Sequence, residues 1–289
     1  MVVSSPAESK ERHKARDERE LGYEMWASHA SPLRRFRSVR HRSAATILLT
    51  IFMAGFSASS IGTPSGSPRS MPESAAISQY GRGVAFLSGK SGVRDYKQAL
   101  YWLLKSAELN YAPAQVAVAK IYLNGLGVAA DPREGASWFR KAAEQGYSPA
   151  QVSIGLLYRN GEGVSRDYAV AMNWFKKAAA KGDAYAAVSL GFMYAQGQGV
   201  ERDAKQALSW FERAAETGDP AAQSVLGGVY ADGSLTAPDY VEAYKWFSLA
   251  ASGGDESAQL QLGKLERKMS PASLQSAQRS IGAWRPSNR

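Results

Sequence analysis

Five tryptophans, Trp102, Trp138, Trp174, Trp210 and Trp246, stand 36 residues apart. An aspartate lies seven residues before each: Asp95, Asp131, Asp167, Asp203 and Asp239. Fifteen residues after each aspartate comes Asn110, Gly146, Gly182, Gly218 or Gly254. Agreement at three positions in five registers means a chain built of repeats. A repeat of this length holds one supersecondary unit, too small to bury its apolar face alone, so neighbours must stack.

The unit starting at Asp131 shows what each copy folds into. Asp131 can accept from the first free backbone N–H groups of a helix, and Pro132 suits the first helical position. Gly135, Ala136, Trp138, Phe139, Ala142 and Ala143 then recur at helical spacing rather than alternating. Gly146 stops that helix in the left-handed conformation. Asn110 holds the same place in the first unit, and asparagine is the next best residue there. A second helix is predicted from about Ser148 to Asn160, with Ala150, Val152, Ile154, Gly155 and Tyr158 as its small and apolar positions. Gly161 and Gly163 end it. The paired alanines and the mid-helix glycine predict close backbone packing.

The units DPREGASWFRKAAEQGYSPAQVSIGLLYRNGEGV and DYAVAMNWFKKAAAKGDAYAAVSLGFMYAQGQGV resemble Sel1-like repeats, relatives of the tetratricopeptide repeat. The W-F-x-x-A-A, A-Q-x-x-x-G-x-x-Y and G-x-G-V elements recur in register. The resemblance implies an all-α fold, a right-handed α-solenoid of helix-turn-helix repeats, in a family made up mostly of adaptors and regulators. It covers roughly residues 77–268: a partial repeat over 77–94, then units starting at 95, 131, 167, 203 and 239. Ser270-Pro271 opens a last helix over 269–289, with Leu274, Ala277, Ile281 and Trp284 on one face, read as a C-terminal capping helix. By analogy with tetratricopeptide arrays, the second helices line a concave groove. Its variable positions are Lys120, Leu123, Asn124, Leu156, Arg159, Asn160, Phe192 and Gln196, a mixture suited to holding a protein or peptide.

Residues 1–42 form a basic N-terminal region that includes Arg34, Arg35, Arg37, Arg40 and Arg42. Residues 43–58 carry the apolar stretch Ala44–Phe56, followed by small residues. Basic, apolar, small is the order of a secretory signal peptide. Thirteen residues rise about 20 Å as a helix, short of the roughly 30 Å hydrocarbon core. A cleaved signal is expected, with an uncleaved anchor as the alternative, and Met25 is an alternative start. Export to the periplasm or outside the cell follows, or tethering that faces outward. Residues 59–76 read as a flexible Ser/Gly/Pro linker.

Residues 1–44 carry ten Lys/Arg against six Asp/Glu, leaving the remaining 245 residues a mild excess of 25 over 20. That charge is too dispersed to predict nucleic-acid binding. Cysteine is absent, and His13, His29 and His41 all precede the apolar segment. Thiolate chemistry is excluded, and a processed chain would lack histidine too, so no metal, cofactor or catalytic residue is expected. Gly125–Ala130 matches a dinucleotide fingerprint in letters, but it follows a helix rather than a strand. Gly83–Ser91 has the wrong spacing for a phosphate loop.

The tryptophan comb is read as core between repeats, with Trp174→Ala expected to cost about 3–5 kcal/mol. The ladder Lys105, Lys141, Lys177 and Arg213 is read as a solvated face, with Glu108, Glu144 and Glu216 within helix-pair reach of three of them. The function expected is a non-catalytic, exported scaffold or regulator of protein partners. The alternatives are a membrane-tethered structural element and a cell-envelope hydrolase. Cysteine-rich exported relatives are reported as hydrolases, but their cysteines have no counterpart here.

Overall fold

The computed structural model describes residues 71–89 and 92–284. The basic region, the apolar segment and most of the expected linker lie outside these residues. Among the described residues are twelve α-helices and no strand: α1 (Met71–Ser88), α2 (Tyr96–Glu108), α3 (Ala112–Asn124), α4 (Pro132–Glu144), α5 (Ser148–Asn160), α6 (Tyr168–Ala179), α7 (Ala184–Gln196), α8 (Ala204–Glu216), α9 (Pro220–Asp232), α10 (Tyr240–Ser252), α11 (Glu256–Glu266) and α12 (Pro271–Ala283). The tryptophans lie on the even helices from α2 to α10. None of the described helices is long and apolar enough to cross a membrane.

Helix α1 begins at Met71, inside the segment expected to be a linker. Pro72 and Glu73 suit a first turn. Ala76 is buried, and its carbonyl accepts the Ser106 hydroxyl at 2.6 Å, which ties the early turns to α2.

The repeated aspartates cap the even helices as their spacing predicts. Asp131 accepts from the N–H groups of Arg133 and Glu134 at 3.0 and 3.1 Å. Its own N–H donates to the Tyr122 carbonyl at 2.8 Å, and Asp167, Asp203 and Asp239 repeat this bond to Tyr158, Tyr194 and Tyr230. Each turn from odd to even helix is thereby closed by backbone. Asn110 takes φ +59°, the one positive value at a non-glycine among the described residues. Gly163 combines φ +68° with a position where a Cβ would strike the Pro132 carbonyl, so the second glycine of the turn is required on both counts.

The chain divides into two compact units, one ending at Thr217 and carrying α1–α8, the other starting at Gly218 and carrying α9–α12. In the first unit, Phe139, Phe175 and Phe211 are essentially inaccessible. A Cβ built on Gly155 would lie 2.8 Å from the Phe175 ring, and one on Gly191 would lie 2.7 Å from the Phe211 ring. The mid-helix glycine therefore seats the phenylalanine of the following even helix. In the second unit, Gly227 stands in the same way against Phe247. Gly263, the last of this series, has nothing within 4 Å, because no further tryptophan helix follows it.

The phenylalanines, more than the tryptophans, fill the space between helices. Trp138 and Trp246 are buried, but Trp102, Trp174 and Trp210 are only half-buried. A one-residue step turns the helix by about 100°, so Trp174 reaches the margin of the contact that Phe175 fills. Its exposed face is covered by Lys177, 4.1 Å from the ring centroid. Lys141 covers Trp138 at 3.8 Å and Arg213 covers Trp210 at 5.2 Å. The cationic ladder is thus laid over aromatic rings, and neither Lys105–Glu108 nor Lys141–Glu144 forms an ion pair.

Side chains also bind one repeat to the next. Buried Gln115 and Gln151 donate to the Ala107 and Ala143 carbonyls, each at 3.2 Å. Gln145 donates to Gln115 at 2.7 Å, and the Ser148 hydroxyl donates to Asp183 at 3.0 Å. In the second unit, α12 packs on α10, with Trp284 edge-on to Trp246 at 6.1 Å. Ala277 is fully buried, and Leu274 and Ile281 are half-buried on the same side.

Candidate functional site

The sequence expects the variable face of the odd helices to bind. Within the first unit, contacts at the helix margins join α1 to α3 and α5 to α7. The rings of Tyr80 and Tyr111 meet edge-on at 5.3 Å, and Arg159 on α5 lies against the Tyr185 phenol on α7.

Lys120 is half-buried, and desolvation holds its ammonium below the ordinary lysine range. No side chain among the described residues hydrogen-bonds or ion-pairs with it. Asn124, one turn on, donates its amide to the Lys120 carbonyl at 2.8 Å, so that amide is engaged within the helix. Arg159 is half-buried and set against the neutral phenol of Tyr185. Asn160 and Gln196 are exposed; Gln196 accepts from Gln198 at 2.8 Å. Phe192 is half-buried, edge-on to Phe211 at 5.0 Å.

Two of the expected groove residues are core instead. Leu123 is 7% exposed, because α4 carries Gly135 opposite it. A Cβ on Gly135 would lie 2.7 Å from Leu123 Cγ, so the missing methyl makes the leucine's seat. Leu156 is also buried, at 8%. The structure thus leaves Lys120, Arg159, Asn160 and Gln196 as the polar groups of this face, with Phe192 as a half-buried ring beside them.

The sequence reading missed four tyrosines. Tyr111 and Tyr147 stand at the N-terminal boundary of α3 and α5, where α7, α9 and α11 have the capping aspartates Asp183, Asp219 and Asp255. Neither caps with its side chain. Burial, reinforced by the phenols of Tyr147 and Tyr111, pushes Tyr80 up to about 12. Burial and Tyr111 also raise Tyr147. Tyr185 is 36% exposed, yet desolvation raises its pKa against the opposing pull of Arg159. The phenols of Tyr80, Tyr147 and Tyr185 keep their protons at neutral pH and can act as donors. The available signal was the exchange of aspartate for tyrosine at a position that is otherwise framework.

Glu162 is half-buried in the turn after α5, and desolvation raises its carboxyl. No group of three or more His, Cys, Asp or Glu that could hold a metal gathers among the described residues. Gly125–Ala130 forms a turn leaving α3, and Gly83 lies inside α1, so the two glycine-rich stretches occupy helix ends and interiors.

The Sel1 repeat family model matches residues 76–111, 112–147, 148–183, 184–219 and 220–255. Each match begins with an odd helix and ends with an even one, so it frames the pair in the opposite phase to units counted from the aspartates. A Sel1 repeat protein from Oxalobacter formigenes is 33% identical, with a TM-score of 0.58, over 63% of this chain and 75% of that one. A protective antigen present in uropathogenic Escherichia coli strains and displaying an SLR fold is 27% identical, with a TM-score of 0.62. That similarity covers 97% of this chain, which spans 56% of the antigen. No curated protein sequence matches the chain closely enough to count as a relative.

Proposed function

The chain belongs to the Sel1-repeat family, whose members generally mediate protein–protein interaction, and from that premise we propose an exported, non-catalytic scaffold that binds a protein or peptide on the face of α3, α5 and α7. One observation carries the reading. The capping aspartates, the seated phenylalanines and the turn glycines repeat, while the odd-helix face changes from copy to copy: Lys120 and Phe192 share one register with the buried Leu156, and Asn124, Asn160 and Gln196 share another. Repeats that keep their framework and diversify one face offer a distinct surface to a partner. Export rests on the basic-apolar-small order of residues 34–60. The antigen's similarity is consistent with an exposed location.

Capture from envelope extract tests the reading, with the full chain compared with a triple Lys120→Ala, Arg159→Ala, Asn160→Ala variant of equal helicity. A partner held by the first and lost by the second is the expected result. Equal capture by both refutes binding on this face. Fractionation of the natural chain, with sequencing of its N-terminus, tests export separately; a chain confined to the cytoplasm refutes it.

A further inference from the structure

Among the described residues, no carboxylate ion-pairs with either of two cations on the proposed binding face. Lys120 on α3 is half-buried without a side-chain partner among the described residues, and the group set against half-buried Arg159 on α5 is the neutral phenol of Tyr185. Withdrawing a charge from water without a counter-charge is costly, so such a pair favours an occupant that supplies one. The nearby acid, Asp183, is already engaged: its carboxylate accepts the Ala186 N–H at 2.9 Å and the Ser148 hydroxyl at 3.0 Å.

Resting on the reading that this face binds protein, we propose that it takes an extended acidic peptide, with two Asp or Glu side chains seated on Lys120 and Arg159. Spacing supports a peptide over a small anion. The two cations stand on α3 and α5, which both pack against α4, and helices that flank a common neighbour lie on the order of 10 Å apart. An extended chain advances about 3.3 Å per residue, so acids about three residues apart reach both cations. Tyr80 and Tyr147 add protonated phenols, able to donate to peptide carbonyls. Charge argues against nucleic acid, because the 245 residues after position 44 carry only 25 Lys/Arg against 20 Asp/Glu.

The test probes an immobilised library of random decapeptides with amidated C-termini, using the full chain. Bound peptides should be enriched in Asp and Glu about three residues apart. Replacing either acid of a resynthesised binder by its amide should weaken binding about tenfold or more. Lys120→Gln and Arg159→Gln should do the same while unfolding no earlier than wild type, and Lys120→Arg should keep binding. Neutral or basic binders blocked by Asn160→Trp or Gln196→Trp would leave the face as a protein site and overturn its acidic preference. Binding only to peptides with a free C-terminus would overturn the side-chain assignment. Tighter binding of a poly-uridylate oligonucleotide, lost in the same variants, would replace peptide by nucleic acid. Binding untouched by any variant, or none at all, would overturn both readings.

Discussion

Gly155→Ala should change sign with its neighbour. In the native chain the new methyl would sit 2.8, 3.0 and 3.1 Å from three carbons of the Phe175 ring, closer than van der Waals contact. Phe175 is 0% exposed and has no room to retreat. Overpacking of this kind costs about 1–3 kcal/mol, while alanine in place of a mid-helix glycine returns about 1 kcal/mol. The net expectation is a loss of about 1 kcal/mol. Phe175→Ala alone opens a cavity and costs about 3–5 kcal/mol. In that background the collision is gone and the added methyl fills part of the void, so Gly155→Ala should gain about 1 kcal/mol. Gly263→Ala is the internal control: it has nothing within 4 Å and should stabilise in any background. Urea unfolding followed by circular dichroism on the four members of the cycle measures the coupling. Equal effects of Gly155→Ala with and without Phe175 would refute the claim that the glycine exists to seat the ring.

Trp174→Ala should cost about 1–2 kcal/mol, well below Phe175→Ala, because Trp174 is half-buried and keeps only a cation contact of modest strength on its open face; equal losses in thermal melts would restore the tryptophan as core. Asn110→Val should destabilise by about 1–2 kcal/mol while Asn110→Gly stays near neutral, since φ is +59° there; matching melting temperatures for the two would count against the left-handed turn. Glu162 has a folded pKa raised by burial, so the folded state binds more protons than the unfolded one between the ordinary glutamate range and the raised value. Stability should therefore fall as pH rises through that window, and Glu162→Gln should flatten the slope and raise the neutral melting temperature; a slope unchanged in the variant would show that Glu162 is not its source.

What repeats was legible in the sequence, and what occurs once was not. The caps, turns and seated rings are each written several times, and a helix from Ser148 to Asn160 was readable because every copy restates it. The face residues are single observations whose setting depends on a helix elsewhere in the chain. Leu123 and Arg159 occupy the same register, yet one is core and the other is half-buried beside a phenol. The difference lies in α4, which has Gly135 where α2 has Ala99 and α6 has Ala171. One absent methyl admits a leucine, a compensation across two helices that periodicity does not reveal. The tryptophans misled for a related reason. Their strict spacing marked the contact between helices, but a step of one residue around the helix decides which ring enters it, and the mid-helix glycines gave that role to phenylalanine. A repeat chain therefore announces its scaffold through agreement between copies and its binding face through their disagreement. The aspartates replaced by Tyr111 and Tyr147 were that second kind of signal, at the N-terminal boundaries of the same helices that carry Lys120 and Arg159.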